Sequence, residues 1–507
     1  MLGVAAEFRL HENAYRGQAL STFVRGGLFP NSTNINIDTI AVKWHIVTMT
    51  RWTPELPQGG EPKYQALVAA LLNDIQSGLL PEGARLPPQR ELADRLGVAI
   101  GTVSRAYAMA ERRGIVSGEV GRGTFVRRRA VQEAADDVDD PELIDLSRGR
   151  LVRDARDPGL AHTLESIARE ADLNQLAEVY QPPAGMARHR QAGSAWIARA
   201  GLSVDAGRVV ITNGAQHGAA MVLAALTRPG DLVLCEEVTY PGIAALAGLL
   251  HLKLRGLPLD ADGLRPDAFE EACRSSAPRA LFCMSTLQNP TGVTMPTGRR
   301  QELGAIAAAH DVAVLEDDVN GFLPPQPIPP IASFAPEHTF YITGTSKSLA
   351  PGLRIGYVVP PANRLQQVIS TIEATTWFTA PLSAEVVTHW IESGEADAIA
   401  SWKRSETAAR HALALRILGR WLPKSPVSFH LWLPLPEPWR SESFVAQARS
   451  RGVVVNSAEE FLVGREGTPH AVRVCLGATL SRGRLEEGLR RLAELLDSSP
   501  RPSPMVY

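Results

Sequence analysis

At 507 residues the chain is too long for one hydrophobic core, so two or more domains are expected. Apolar residues make up 45% and charged residues 21%, an ordinary globular composition, and the net charge of -2 gives no global pull toward nucleic acid or membrane. The charge is unevenly placed, however: residues 61–129 hold 11 Lys and Arg against 7 Asp and Glu, which leaves the remainder net acidic and hints at a nucleic-acid module.

Residues 1–60 keep no helical or strand period for long and read as an irregular extension. Met49 is followed by Thr-Arg-Trp-Thr-Pro, a natural beginning, so the first 48 residues are expected either to derive from an upstream start codon or to be disordered. In Lys63–Gln76, Leu67, Leu71, Leu72 and Ile75 form a helical stripe that stops at Ser77-Gly78. Gln89–Leu96 is a short second helix closed by Gly97, and Thr102–Arg113 a third ended by Gly114. Ile115–Arg127 carries β-type residues broken by Gly118, Gly121 and Gly123, which predicts a hairpin. Short helices about a glycine turn followed by such a hairpin predict a winged helix-turn-helix over residues 61–129. The acidic stretch within 130–142 predicts a solvated linker.

From residue 143 to 497, apolar strands alternate with helical stretches: Val209–Thr212, Leu232–Glu236, Ala280–Met284, Val312–Glu316 and Thr339–Ile342. That rhythm predicts an α/β domain with a mainly parallel sheet covered by helices. Residues 498–507, rich in Pro and Ser, read as a frayed tail. Cys235, Cys273, Cys283 and Cys475 are scattered without ligand spacing, so neither a zinc site nor a disulfide framework is expected. With no secretory signal and no apolar run long enough for a membrane span, a soluble cytoplasmic protein is expected.

The string Leu86-Pro-Pro-Gln-Arg-Glu-Leu-Ala-Asp-Arg-Leu-Gly-Val98, then Gly101-Thr-Val-Ser-Arg-Ala-Tyr107, resembles the GntR-type winged helix, and Glu119-Val-Gly-Arg-Gly-Thr-Phe-Val126 is similar to its wing. Thr102 and Arg105 supply the short polar and basic groups a major-groove helix needs. Arg90 opens the preceding helix, where it can reach phosphate or a guanine edge. Arg122 and Gly123 suit a narrow minor groove at the wing tip. Ala99 and Ile100 stand where many relatives carry polar or basic residues, so base readout here is thinner or uses a thymine methyl contact. Taken singly, Arg105, Arg112 and Arg113 read equally well as a solvated helix face.

Thr343-Gly-Thr-Ser-Lys-Ser-Leu-Ala-Pro-Gly-Leu-Arg-Ile-Gly-Tyr357 resembles the lysine segment of fold-type I pyridoxal-phosphate enzymes, the class I/II aminotransferases. The resemblance implies a mainly parallel sheet with a smaller C-terminal subdomain. It makes Lys347 the Schiff-base and catalytic lysine and Arg354 the phosphate guanidinium. Gly214, Ala215 and Gln216, in Asn213-Gly-Ala-Gln-His217, bind phosphate at a helix start. Tyr240 stacks on the pyridine ring, Asn289 meets its phenolic oxygen and the ligand, and Asp317 pairs with its protonated nitrogen. Arg473 takes a ligand carboxylate, and Tyr180 reaches a neighbouring subunit's phosphate, which implies a homodimer. Each alone has a bland reading: a lone Lys in Ser-Lys is usually solvent-exposed, an Asp ending a strand is often a cap, and Arg473 suits a surface salt bridge. Two places depart from the family. Val319 and Asn320 stand where a Tyr is usual, and Gly344 where a phosphate-binding Ser or Thr is common; Thr343, Thr345 or Ser346 is left to supply the hydroxyl.

A GntR-type winged helix joined to such a domain resembles the MocR/GabR-type transcriptional regulators over residues 63–496. That resemblance implies binding of double-stranded operator DNA, gated by pyridoxal 5'-phosphate and a small amino acid or amine. The alternative is a working aminotransferase with an accessory winged helix, which retained Lys347, Asp317 and Arg473 keep open.

Overall fold

The computed structural model describes residues 52–54, 63–76, 80, 84–112, 116–119, 123–126, 143–149, 152, 159–170, 173–464 and 469–498. The chain divides into two units, with the boundary between residues 137 and 138.

In the first unit, helices α1 (Lys63–Gln76), α2 (Gln89–Leu96) and α3 (Ile100–Arg112) precede strands β1 (Val116–Glu119) and β2 (Gly123–Val126). Leu67, Val68 and Leu71 of α1 bury against Leu92 and Ala93 of α2 and Val103, Ala106 and Tyr107 of α3. Leu67 and Leu71 of the predicted stripe thus lie on the inner face of a three-helix core. Gly97 closes α2 in the left-handed conformation (φ 59°), where a side chain would be strained, and Val98 N donates back to Ala93 O at 3.1 Å. The Tyr107 hydroxyl donates to Pro87 O at 2.9 Å and ties α3 to the turn before α2. β1 and β2 pair antiparallel, Val116 facing Val126, as the predicted hairpin requires. Arg122, Arg113 and the predicted linker fall outside the described residues.

Among the described residues of the second unit, a seven-stranded sheet organises the larger core. Its strands are β4 (Val210–Thr212), β5 (Leu232–Glu236), β6 (Lys253–Leu257), β7 (Ala280–Cys283), β8 (Ala313–Asp317), β9 (Thr339–Gly344) and β10 (Gly356–Val359). They lie in the order β4-β10-β9-β8-β7-β5-β6. All adjacent pairs are parallel except those of β10, which runs antiparallel to both β9 and β4. The reason is local: β9 reaches β10 through the short lysine turn, with no crossover helix to carry the chain back for a parallel return. Buried strand residues such as Val233, Leu281, Leu315 and Ile342 are apolar almost throughout, as a sheet covered on both faces demands.

A short strand β3 (Ile144–Asp145) opens this unit. Helices α4 (Ala215–Leu226) and α5 (Pro241–Leu249) follow β4 and β5, and α6 (Thr345–Ser348) carries the lysine. After the long helix α7 (Glu395–Leu418) comes a smaller layer in which β11 (His430–Pro434), β13 (Asn456–Ser457) and β14 (Ala471–Cys475) form a sheet with β14 central. β12 (Val453–Val454) pairs parallel with β3, so the start of the unit is sewn into its C-terminal layer, over α8 (Arg482–Leu496). No helix among the described residues is long and apolar enough to cross a membrane.

Candidate functional site

Lys347 sits near the end of the four-residue helix α6, at the C-terminal end of β9. Two anchors fix its backbone. Thr345 N donates to Ile355 O at 2.9 Å, and the buried Lys403 of α7 donates to the carbonyls of Leu349 and Lys347. The Lys347 ammonium lies 5.5 Å from the Phe429 ring and donates to Gly149 O. Burial lowers its pKa, since a charged amine loses water there.

Asp317 ends the neighbouring strand β8. Burial pushes its carboxyl up to about 7, opposed by the backbone N–H of Val319 and by the charge of Lys347. Its Oδ1 is buried without a hydrogen-bond partner. A buried acceptor left in that state is costly unless a donor arrives, and a protonated ring nitrogen is such a donor. Tyr240 precedes α5: burial and the charge of Asp317 raise its hydroxyl pKa, and Arg354 opposes them.

An anion cradle lies at the start of α4. Gly214 has φ 86°, and a Cβ there would stand 2.7 Å from an Arg354 nitrogen, so only glycine lets the guanidinium rest on the loop. On the other side, a Cβ on Gly356 would lie 2.5 Å from the Gly214 carbonyl carbon and 2.7 Å from Ala215 N. The strand therefore needs glycine to approach the loop. The first N–H groups of α4, at Ala215 and Gln216, have no partner within their helix. Gln216 donates to Gly242 O at 3.2 Å. Of the candidate hydroxyls, Thr343 is spent on Asp318 O and Thr345 on Ile355 O. Ser346 accepts from Arg354 at 3.2 Å and stays at the cradle.

Arg473, on β14, donates to Asn289 Oδ1, Ser147 O and Asn456 Oδ1, each at 2.8 Å, while its Cζ sits 4.6 Å from the centre of the Phe461 ring. It is buried, and among the described residues no carboxylate pairs with it. A guanidinium compensated by neutral oxygens is not the surface salt bridge of the bland reading; it is a cation able to take a carboxylate. Asn289 is held by its neighbour Gln288, whose side chain donates to Val238 O at 2.7 Å and accepts from Thr291 N at 3.0 Å. The His430 ring supports the same loop with Nε2 3.1 Å from Gln288 O. Burial pushes His430 down to about 3, so the ring is neutral and Nε2–H is the donor.

The structure thus draws Lys347, Asp317, Tyr240, Asn289, Arg354, Ser346, Gly214, Ala215, Gln216 and Arg473 to the ends of β8 and β9 and the loops around them. Tyr180 stands apart: it is 76% exposed, with its ring 5.1 Å from Trp377 and 6.1 Å from Phe378. Asn320, where a Tyr is usual, donates to Leu287 O at 2.9 Å. Sequence reasoning missed Ser147, Gly149, Asn456 and Phe429, because two act through backbone carbonyls and two sit in no motif. The buried, unpartnered Asp317 oxygen and the glycine-lined cradle fit a pyridine ring bearing a phosphate.

In the first unit, Arg90 lies in the first turn of α2 and Thr102 and Arg105 on α3, Arg90 and Arg105 exposed. Arg105 is steadied by the Tyr64 ring, 4.3 Å below its Cζ. Ile100 is 45% exposed, an apolar contact surface at the start of the same helix. Gly123 opens β2 with φ 119°, and a Cβ there would meet Arg85 at 2.7 Å, which adds Arg85 to the wing. Replacing Arg105 with Ala should weaken selective DNA binding by about 1–3 kcal/mol in a gel-shift titration at fixed salt; an unchanged titration removes the residue from the contact set.

Residues 63–126 match the model of bacterial regulatory proteins of the gntR family, and residues 141–492 that of class I and II aminotransferases. The HTH-type transcriptional regulator YdeF of Bacillus subtilis is 32% identical over 450 residues, spanning 88% of this chain and 97% of its own length. The pyridoxine biosynthesis regulator PdxR of Corynebacterium glutamicum is 27% identical over 312 residues, spanning 59% of this chain and 66% of its own. In fold, the chain is similar to the kynurenine aminotransferase of Pyrococcus horikoshii, with a TM-score of 0.65 at 23% identity over 77% of this chain and 98% of that one. Class I and II aminotransferases depend on pyridoxal 5'-phosphate. The chain belongs to the MocR-type regulators, in which a GntR helix-turn-helix domain is fused to a class I/II aminotransferase domain.

Proposed function

We propose that this regulator holds pyridoxal 5'-phosphate at Lys347, binds operator DNA through α2, α3 and the β1–β2 wing, and changes its DNA affinity when an amino compound enters the cofactor site. The observation that carries the cofactor half is the buried Asp317 oxygen without a partner, in the same domain as the Gly214–Arg354 cradle and the Lys347 amine. Arg354, Ser346 and the N–H groups of Ala215 and Gln216 hold the phosphate. Tyr240 covers the ring, Asn289 meets the phenolic oxygen, and Asp317 pairs with the ring nitrogen. When bound, pyridoxal phosphate supplies an aldehyde that takes up amines and a ring that withdraws electrons.

Arg473 gives the effector its second requirement, a carboxylate, and Asn289 orients it. The ligand alters DNA affinity only as far as it prefers one arrangement of the protein over the other. A cytoplasmic homodimer completes the reading. Tyr180 and Trp377, with ring centres 5.1 Å apart, are 76% and 58% exposed, an aromatic surface of the kind that a second copy covers. A Trp377→Asp variant should sediment as a monomer at concentrations where the wild type is a dimer; identical sedimentation overturns this use of the surface.

A working aminotransferase is the second reading, favoured by the retained Lys347, Asp317 and Arg473. Steady amino-group turnover without selective DNA binding would establish it. In either role, the absence of a Tyr at 319 or 320 leaves Asn289 as the side chain assigned to the phenolic oxygen.

A further inference from the structure

The exposed face of α3 is poorly suited to reading guanine, which calls for arginine or lysine. Residues 100–104 are Ile-Gly-Thr-Val-Ser, with no lysine or arginine among them, and the Arg105 guanidinium is stacked 4.3 Å from the Tyr64 ring of α1. The start of the helix instead presents Ile100, 45% exposed, and Gly101, where a Cβ would meet nothing within 4 Å. Ser104 lies one turn along from Ile100 on the same side of the helix, since residues four apart are neighbours. Its hydroxyl donates at 2.5 Å to Oε1 of Gln89, the exposed first residue of α2. As a brace that bond adds little. Buried Leu92, Ala93, Val103 and Ala106 already join α2 to α3, and Tyr107 donates to Pro87 O. What the bond does is fix the direction of an amide. An amide oxygen has two acceptor positions and its nitrogen two donors, so with Ser104 on one acceptor position Gln89 still offers an acceptor and a donor side by side.

We propose that α2 and α3 read an A·T element: Gln89, aimed by Ser104, takes adenine in the major groove, and Ile100 packs on the methyl group of a nearby thymine. The chemistry selects these bases. Adenine presents N6–H as a donor beside N7 as an acceptor, the complement of a side-chain amide, whereas guanine shows two acceptors there. Thymine carries the C5 methyl, and an exposed isoleucine gains by covering it. Side chains four apart on a helix stand about 5–6 Å from each other and base pairs about 3.4 Å, so the two contacts fall about one or two base pairs apart. Gln89 and Ile100 are the contacts, and Ser104 is a positioning residue. The assignment rests on the operator-binding function proposed above and names the sequence element which that function leaves open.

The test uses the full-length protein and the gene's own upstream DNA. The DNA is amplified with dUTP in place of dTTP to remove thymine methyls, with 7-deaza-dATP to remove adenine N7, or with 7-deaza-dGTP as the guanine counterpart. Affinities are measured at one fixed salt concentration, beside a scrambled duplex of the same length and composition. Wild-type protein should bind the uracil DNA at least about fourfold more weakly, the worth of one buried methyl group. It should bind the 7-deazaadenine DNA about three- to tenfold more weakly, the worth of one hydrogen bond. Ile100→Ala should bind thymine and uracil DNA alike and keep the loss on 7-deazaadenine; Gln89→Ala should do the reverse. Ser104→Ala, which leaves Gln89 present but unaimed, should shrink the 7-deazaadenine loss and keep the uracil loss. Ile100 and Gln89 are exposed, so neither substitution disturbs the packed core. Selective binding that is indifferent to uracil and 7-deazaadenine, or that weakens only on 7-deazaguanine, overturns the A·T assignment and leaves the regulator standing. An undiminished uracil loss in Ile100→Ala, or an undiminished 7-deazaadenine loss in Gln89→Ala, does the same. No preference for the upstream DNA over the scrambled duplex overturns both.

Discussion

Lys347→Ala eliminates the near-ultraviolet to visible absorbance band that pyridoxal phosphate develops with the wild-type protein. A band of that kind requires an amine within reach of the aldehyde. Lys403 is committed elsewhere, donating to the carbonyls of Leu349 and Lys347, so it cannot substitute. Arg at 347 should not rescue the band either, because a guanidinium stays protonated and is no nucleophile. The phosphate cradle of Gly214 and Arg354 is untouched, so the variant should still bind the cofactor, weakly and without the band. Borohydride treatment should fix the cofactor to the Lys347 peptide of the wild type and leave the variant unlabelled. Non-specific DNA affinity should not change, since the winged helix lies in the other unit. A persisting band would assign the attachment to another residue.

The second large effect is a gain and a loss from one substitution, Asp317→Asn. Burial raises the Asp317 carboxyl to about 7, above its value in the unfolded chain. In the cofactor-free protein its contribution to stability is therefore fully present below about pH 4 and is lost as pH rises through 7. Holding a carboxyl so far above its ordinary range penalises the ionised form by about 4 kcal/mol. Glu236 and Asp318, also raised to about 7 by burial, share this field, so the amide relieves them as well. Cofactor-free Asp317→Asn should therefore melt higher than the wild type at pH 8, and the difference should shrink toward zero as pH falls to about 4. With pyridoxal phosphate the order reverses. The amide cannot offer a negative partner to a protonated ring nitrogen, and affinity should fall by about 10- to 100-fold, the 1.5–3 kcal/mol typical of a hydrogen bond to a charged group. A variant no more stable at pH 8, or one that binds the cofactor as the wild type does, contradicts the role given to this carboxylate. A site that is less stable empty than substituted is what stored cofactor-binding energy looks like.

Much of the site is legible in the sequence alone, because order along the chain carries it. The resemblance to the class I/II aminotransferases singles out the Asn213–His217 loop, Tyr240, Asn289, Asp317, Lys347, Arg354 and Arg473, in the order that family has them. Helices of the first unit are legible because a three-helix core needs a 3.6-residue apolar stripe, and Leu67, Leu71 and Val103 supply it. What stays hidden has physical reasons. Ser147 and Gly149 act through carbonyls, which every residue possesses, so no side-chain pattern marks them. Asn456 and Phe429 reach the site from the C-terminal layer, and only the tertiary fold brings that layer to Lys347. The choice among Thr343, Thr345 and Ser346 turns on which hydroxyls the backbone consumes, a matter of hydrogen-bond accounting that spacing cannot resolve. The reversed direction of β10 is likewise invisible in strand composition; it follows from the shortness of the connection through α6.

The most direct test of the central claim is a titration of fluorescent DNA from the gene's own upstream region, with and without pyridoxal phosphate, while the protein's absorbance is followed. A regulator gated through its cofactor site should bind that DNA selectively, with an affinity that shifts when the cofactor band forms and shifts again when a suitable amino compound is added. A strong band with no selective DNA binding and brisk amino-group turnover would contradict this and make the chain an aminotransferase that carries a winged helix.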